Sequence, residues 1–302
     1  MKILERVQRR IINRDPPDKR TLLRELPRFY YSFDNPTGYN EDGIDIFEAD
    51  WDNLILLDAC RHDFFKREAD LPGEYETRIS RGSMTREWMR ANFSGRQLHD
   101  TVYITANANY ANIKDELDTE FHDYIGLLQD EYRNEHGAID PKTVTERALK
   151  AAKKYPNKRL MIHYVQPHAP YIGSTGREHF DPSVPLKDFP ETYEFTHDIL
   201  REAYRENVQI ALNEAAKLLT SFKGKTIVSA DHGELLGERI LSVPVRFYGH
   251  PDGMYVDELV RVPWQIYQNG ERKEFYGERP IRGEQFELSE VEKQLERLGY
   301  KT

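Results

Sequence analysis

The chain has 302 residues, 38% hydrophobic and 31% charged; Val, Ile and Leu gather in runs, which excludes a disordered chain and allows one sizeable core. A net charge of -9 excludes a general nucleic-acid binder, whose phosphate contacts show as a basic excess. The single cysteine, Cys60, excludes an intrachain disulfide and a cysteine-based zinc site.

Residues 1–14 read as a basic amphipathic helix, with Ile3, Leu4, Val7, Ile11 and Ile12 at helical spacing and Lys2, Arg6, Arg9, Arg10 and Arg14 between them. Such a helix either packs on protein or rests peripherally on an anionic membrane surface. No stretch has a signal-peptide core or the roughly 18 apolar residues of a membrane span, so a cytoplasmic location is expected. Residues 1–50 are expected as a helical or extended arm and 51–302 as the catalytic domain. A strand over 53–58 ends in Asp58, with Arg61 and Asp63 just beyond it. A helix over 85–93, a strand over 101–105, a helix over 143–154 and a strand over 159–165 follow. The segment 167–198, rich in Pro, Gly and His without periodicity, is a candidate lid. A long amphipathic helix over 199–222, stopped by the glycine of Lys223-Gly224-Lys225, feeds a strand over 225–230 that ends in Asp231-His232-Gly233-Glu234. After an irregular stretch, 236–257, the segment 260–267 alternates like a strand, and Pro263 assigns it to an edge. A capping box at Ser289-Glu290-Val291-Glu292 opens a last helix. Alternating strands and helices predict an α/β fold: a mainly parallel central sheet with helices on both faces.

Chemistry gathers at four places. Asp58 and the pair Asp231-His232 are ligand types for Zn, Mn or, with more carboxylates, Ca, and each follows an apolar strand, where open α/β sheets bind ligands. Singly, each is also a helix cap or a turn. In Ser80-Arg81-Gly82-Ser83-Met84-Thr85, hydroxyls precede a helix, where a nearby cation and the backbone amides would activate one of them; Ser83 and Thr85 equally suit N-caps. His168 and His250 sit in proline-stiffened loops that suit side chains aimed at a substrate oxygen. Tyr110, Tyr124, Tyr171 and Trp88 either stack on a substrate or pack the loops.

Taken together, Leu-Leu-Asp-x-x-Arg-x-Asp from Leu56, the Gly-Ser-x-Thr turn, His168-Ala169-Pro170-Tyr171, Ala-Asp-His-Gly-Glu-x-x-Gly-Glu from Ala230, Gly249-His250-Pro251, Val260-Arg261-Val262-Pro263 and the terminal Leu298-Gly299-Tyr300 resemble the sulfatase-like branch of the alkaline phosphatase superfamily. The Asp-His-Gly-Glu element is the most specific part. The resemblance implies the superfamily's three-layer sandwich and one or two divalent ions, with Asp58, Asp231 and His232 as metal ligands and Thr85 as nucleophile. It places His168 and His250 at the transferred group or, for His250, at a second metal. Arg61 and Ser83 would touch substrate, although a salt bridge to Asp63 also accounts for Arg61; His179 and Asp181 are candidates for a second ion. The implied reaction is attack by Thr85 on phosphorus or sulfur, a covalent ester, and release by water or an acceptor alcohol. Sulfatases of the main type carry Cys-x-Pro-x-Arg or Ser-x-Pro-x-Arg, the first residue becoming formylglycine; Thr85-Arg86-Glu87-Trp88-Met89 departs from this. Phosphate esters, on a small molecule or a glycan or lipid, are therefore preferred to sulfate esters. The alternative is a catalytically idle binding or scaffold protein that keeps the fold.

Overall fold

The structure is a computed structural model that describes residues 19–35, 37–129, 132, 139–241, 243–281, 291, 292 and 295. The basic segment 1–14, the capping-box residues Ser289 and Glu290 and the terminal Leu-Gly-Tyr lie outside the described residues.

In chain order the strands are β1 (Asn53–Leu57), β2 (Glu74–Ile79), β3 (Gln97–Thr105), β4 (Glu120–Gly126), β5 (Arg159–Tyr164), β6 (Gly224–Ser229), β7 (Leu235–Glu238), β8 (Phe247–Gly249) and β9 (Arg261–Asn269). The helices are α1 (Lys19–Asp34), α2 (His62–Glu68), α3 (Thr85–Phe93), α4 (Asn109–Leu117), α5 (Pro141–Lys154), α6 (Ser174–His179), α7 (Phe189–Thr192), α8 (His197–Ser221) and α9 (Asp257–Val260).

Among the described residues seven strands form one sheet in the order β2-β9-β6-β1-β5-β3-β4. The pairs β6–β1, β1–β5, β5–β3 and β3–β4 are parallel, and β9 is antiparallel to both its neighbours. The sheet is the mainly parallel one expected. All five residues of β1 are buried, which is why this strand reads as an unbroken apolar run. Side chains alternate between two cores. Ile55, Leu57, Ile104, Ile162 and Val228 meet Ala203, Val208 and Ala211 of α8 and Val144 and Ala148 of α5. Leu54, Leu56, Tyr103, Met161 and Ile227 meet Trp88, Met89 and Phe93 of α3 and Ile113 and Leu117 of α4. Helices thus cover both faces, and the carboxyl ends of β1, β5 and β6 lie side by side at the centre.

Four expectations change. β9 is an interior strand despite Pro263, because β2 pairs along its outer side, with Thr77 opposite Pro263; a proline costs one ladder bond, which the remaining pairs outweigh. The sequence reading passed over β2 and β4, whose mixed polar runs carry little strand signal. The segment 167–198 contains α6, α7 and a short 3-10 helix at Leu186–Asp188, and 236–257 contains most of the β7–β8 hairpin. Gly224 does not stop α8, which ends with the Phe222 amide bonded to the Leu218 carbonyl. It opens β6 at φ +87°, where an added Cβ would lie 1.9 Å from the Asp52 carboxylate, so the close approach of Asp52 is what requires glycine.

Candidate metal centre and nucleophile

Two turns leave the centre of the sheet on one side, and each carries polar residues into the interior. The turn after β1 holds Asp58, the turn after β6 holds Asp231 and His232, and all three side chains are fully buried. One donor atom from each lies within 4.8 Å of the others. His232 Nε2 is 3.6 Å from Asp58 Oδ1 and 3.4 Å from Asp231 Oδ2. His232 Nδ1 lies 2.8 Å from the Gly233 carbonyl, so the proton belongs on Nδ1 and the Nε2 lone pair faces the carboxylates. Thr85, the first residue of α3, donates its hydroxyl to Asp231 Oδ2 at 2.8 Å and sits 3.2 Å from His232 Nε2. Its helix has Met84 at the N-cap with no side-chain cap and Glu87 in its first turn, so Thr85 sits at the amide end of the helix.

Burial sets the charges here. Burial and the neighbouring Asp231 push the Asp58 carboxyl well above its usual range. Burial acts on Asp231 in the same direction, but His232, His163 and the Thr85 hydroxyl bring it below the usual carboxylate range. Asp58 Oδ1 is buried with no hydrogen-bond partner. Two carboxylates that share an interior and leave an oxygen unpaired, beside an imidazole lone pair, form a donor set that fits a divalent cation.

A second group adjoins the first. His168, Glu234 and His250 also offer atoms within 4.8 Å of one another; His250 Nδ1 is 3.0 Å from Glu234 Oε1, and the His232 and His250 rings are 4.5 Å apart. Burial raises Glu234 to about 7 and lowers His168, His232 and His250 each to about 4, so the imidazoles are neutral at pH 7 and keep a lone pair. Glu234 Oε2, like Asp58 Oδ1, has no partner. The two cis bonds Gln166–Pro167 and Ala169–Pro170 flank His168.

The structure therefore brings Asp58, Asp231, His232 and Thr85 into one group and His168 and His250 into its neighbour. It does not bring Ser83 or Arg61 into either. Ser83 Oγ bonds Glu87 Oε2 at 2.8 Å and the Pro251 carbonyl at 3.0 Å. Arg61 grips Asp63 through two bonds of 2.8 Å and donates to Glu238 at 2.6 Å and to the Glu234 carbonyl; these partners satisfy its fork and fix the loop that carries Glu234. His179 and Asp181 are exposed and apart from both groups. Tyr110, Trp88 and Tyr171 are buried among other aromatic rings, and Tyr110 stands 4.7 Å from Tyr124, so they pack the fold.

Three residues of the site had escaped the sequence reading. Glu234 ended a motif that had been noted but carried no role. His163 on β5 places Nε2 3.6 Å from Asp231 Oδ2 while Nδ1 meets the Tyr103 hydroxyl at 2.9 Å; an imidazole inside an apolar run was its signal. Asn107, two residues beyond β3, donates to Asp58 Oδ2 at 2.5 Å, and its signal was its place at the carboxyl end of a strand.

No family model matches the chain, and no curated protein matches it. Similar solved structures include lipooligosaccharide phosphoethanolamine transferase A from Neisseria meningitidis, 14% identical over 71% of this chain and 47% of that one, with a TM-score of 0.45. The C-terminal periplasmic domain of Escherichia coli EptC in complex with zinc is 11% identical over 70% and 72%, TM-score 0.46. A phosphonate monoester hydrolase from Silicibacter pomeroyi is 13% identical over 82% and 72%, TM-score 0.46. The likeness is one of fold. A protein of the alkaline phosphatase superfamily from Vibrio parahaemolyticus is also among the similar structures. The chain spans less than half the length of the Neisseria enzyme. The expected cytoplasmic location is corrected here, because periplasmic domains stand among the similar structures; the lack of a described helix long and apolar enough to cross a membrane is no argument for the cytoplasm.

Proposed function

We propose that the chain is a metal-dependent hydrolase or transferase of phosphate esters, with sulfate esters as lesser substrates and Thr85 as nucleophile. The observation that carries the reading is the Thr85 hydroxyl, 2.8 Å from Asp231 Oδ2 and 3.2 Å from His232 Nε2, beside the unpartnered Asp58 Oδ1. Asp58, Asp231 and His232 would hold one ion, and His168, Glu234 and His250 a second. Such ions supply charge that lowers the pKa of a hydroxyl and stabilises the ester oxygens. Asp231 and His232 aim the Thr85 oxygen, and the start of α3 favours the negative charge that develops there. Thr85 Oγ loses its proton and bonds to phosphorus, and the ester bond breaks with its electron pair leaving on the departing oxygen, which takes up a proton. Water or an acceptor alcohol then bonds to phosphorus, loses its proton, and releases Thr85 reprotonated. His168 and His250, neutral at pH 7 and nearest the solvent side, contact the transferred group. An unmodified threonine favours phosphate, on a small molecule or on a glycan or lipid. The same reading keeps residues 51–302 as the catalytic domain and 1–50 as an arm upon it.

Purified protein with Mn²⁺ or Zn²⁺ is expected to cleave an aryl phosphodiester, and Thr85→Ala to bring turnover below detection with an unchanged circular dichroism spectrum. Elemental analysis should find up to two divalent ions per chain, with Asp231→Asn lowering that count. Full turnover in Thr85→Ala would overturn the assignment.

A further inference from the structure

The β7–β8 hairpin has a second end with its own chemistry. Leu235 pairs with Gly249 and Leu236 with Tyr248, so one end of the hairpin presents Glu234 and His250 to the groups described above. At the other end Gly237, Glu238, Arg239 and Arg246, with His197 and Arg201 from the first turn and a half of α8, wall an open pocket of about 480 Å³. Leu236 also lines it, and the four residues from Glu234 to Glu238 span at most roughly 13 Å at ~3.3 Å each, less where the pairing shifts register at Gly237.

The wall carries three arginines and one carboxylate. That carboxylate, Glu238, is already held by Arg61 at 2.6 Å and by Arg201 at 2.9 Å. Arg246 gives one nitrogen to the Gly237 carbonyl at 2.7 Å, and Arg239 has no partner among the described residues. Counting the neighbouring Arg61, Asp63 and Asp198, which acts on His197, four guanidinium groups stand against three carboxylates, in a chain whose net charge is -9. A local surplus against the sign of the whole concentrates anions at that place. His197 lies parallel to the Tyr248 ring, 12° off its plane, and its Nδ1 is buried without a partner. The walls close tightly: at Gly237, with φ +102°, an added Cβ would come within 2.6 Å of the His197 ring.

We infer that this pocket binds a second oxyanion, a phosphate, sulfate or carboxylate, carried by the same substrate whose ester reaches Thr85. The chain then selects polyanionic substrates whose charges stand about one short strand apart. The word substrate rests on the proposed reaction; the anion site does not. Arginine suits it because the planar fork meets an oxyanion through two parallel bonds.

Two measurements on the full-length protein with its metal test this. Inorganic sulfate is titrated calorimetrically into wild type, Asp231→Asn and the double variant Arg239→Ala with Arg246→Ala. The double variant is expected to bind sulfate about tenfold or more weakly, the loss of one or two charge-assisted bonds, whereas Asp231→Asn retains the site. Arg239→Lys, which keeps the charge, restores part of the affinity, and both arginines are exposed, so folding is preserved. Sulfate binding unchanged in the double variant, or lost in Asp231→Asn, overturns the pocket. The second measurement compares an aryl phosphodiester with one bearing a sulfonate about 10 Å away, at the strand-derived spacing. A substrate-borne anion gives the sulfonate a higher kcat/KM that the double variant loses. Equal kcat/KM for the two, with free sulfate altering turnover of both, overturns the substrate assignment in favour of a free-anion site. If neither ester is cleaved, the proposed reaction fails while the sulfate titration still decides the pocket.

Discussion

Asp58 is held from two sides, by an unpaired oxygen that faces His232 and by the amide of Asn107 on the other oxygen. Asn107 in turn accepts from the Asn109 amide nitrogens, so the start of α4 fixes the angle at which Asp58 meets an ion. A partner of this kind acts on metal affinity through its ligand. Asn107→Ala is expected to weaken divalent ion binding about 10–100-fold, measured by competition with a chromophoric chelator, with little change in the melting temperature of the ion-free protein. Affinity equal to wild type would show that Asn107 only shapes the turn. At this scale the sequence disclosed the residues that follow apolar strands, Asp58, Asp231 and His232, because a buried strand is legible and the residue after it has a fixed place. Asn107 and His163 depend on which strands are neighbours, and β3–β5–β1 adjacency is a property of the sheet rather than of any local run. Arg61 and Ser83 sit in the same short motifs, but one partner of each, Glu238 and the Pro251 carbonyl, comes from more than 160 residues away.

Elements meet at the site through two clamps. Tyr204 in the middle of α8 donates its hydroxyl to the Ala59 carbonyl at 2.6 Å and accepts from the Arg61 amide at 2.9 Å. It ties the helix to the turn that follows Asp58, where Ala59 holds a left-handed φ of +59° that costs a non-glycine residue about 1 kcal/mol. Tyr204→Phe leaves a buried carbonyl and amide unpaired, a loss of about 1–3 kcal/mol to be read in urea unfolding; no change would mean the turn holds itself. The second clamp is Glu87 on α3, which accepts from the Ser83 amide and hydroxyl and from the Gly253 amide at 2.6 Å, joining the Thr85 helix to the loop beyond His250. Burial raises its carboxyl to about 7. The fold therefore favours the protonated form, and stability that is complete below the ordinary carboxyl range is lost as pH rises through about 7. Glu87→Gln should flatten the fall in melting temperature between pH 5 and pH 8, a difference on the order of 3 kcal/mol at about 1.4 kcal/mol per unit. An equally steep fall in the variant would assign the pH dependence to other groups. Long amphipathic helices such as α8 and wholly apolar strands such as β1 could be read from periodicity, whereas β2, reading Glu-Tyr-Glu-Thr-Arg-Ile, is recognised only through its pairing with β9, and that pairing is also what places Pro263 inside the sheet.

At the scale of the whole molecule, the two cores support a central arrangement that neither would favour alone. Asp58, Asp231 and Glu234 are all fully buried at the meeting point of β1, β6 and the hairpin, in a chain that already carries an excess of negative charge. Without a cation, burial pushes the Asp58 and Glu234 carboxyls up, because the folded state forgoes the hydration these groups have when unfolded. An ion that binds only the folded chain stabilises it by mass action, about 4 kcal/mol at a thousandfold excess over Kd. For a domain of this size that is a rise on the order of 10 °C, at roughly 2 °C or more per kcal/mol. Scanning calorimetry of chelator-treated protein with and without added Mn²⁺ or Zn²⁺ should show it. Asp58→Asn removes the carboxyl of the first group that burial pushes up, so it should raise the melting temperature of the ion-free protein and abolish most of the ion's effect. A wild-type melting temperature indifferent to the ion, or an equal ion-induced rise in Asp58→Asn, would separate these buried acids from metal binding and leave them as a structural network.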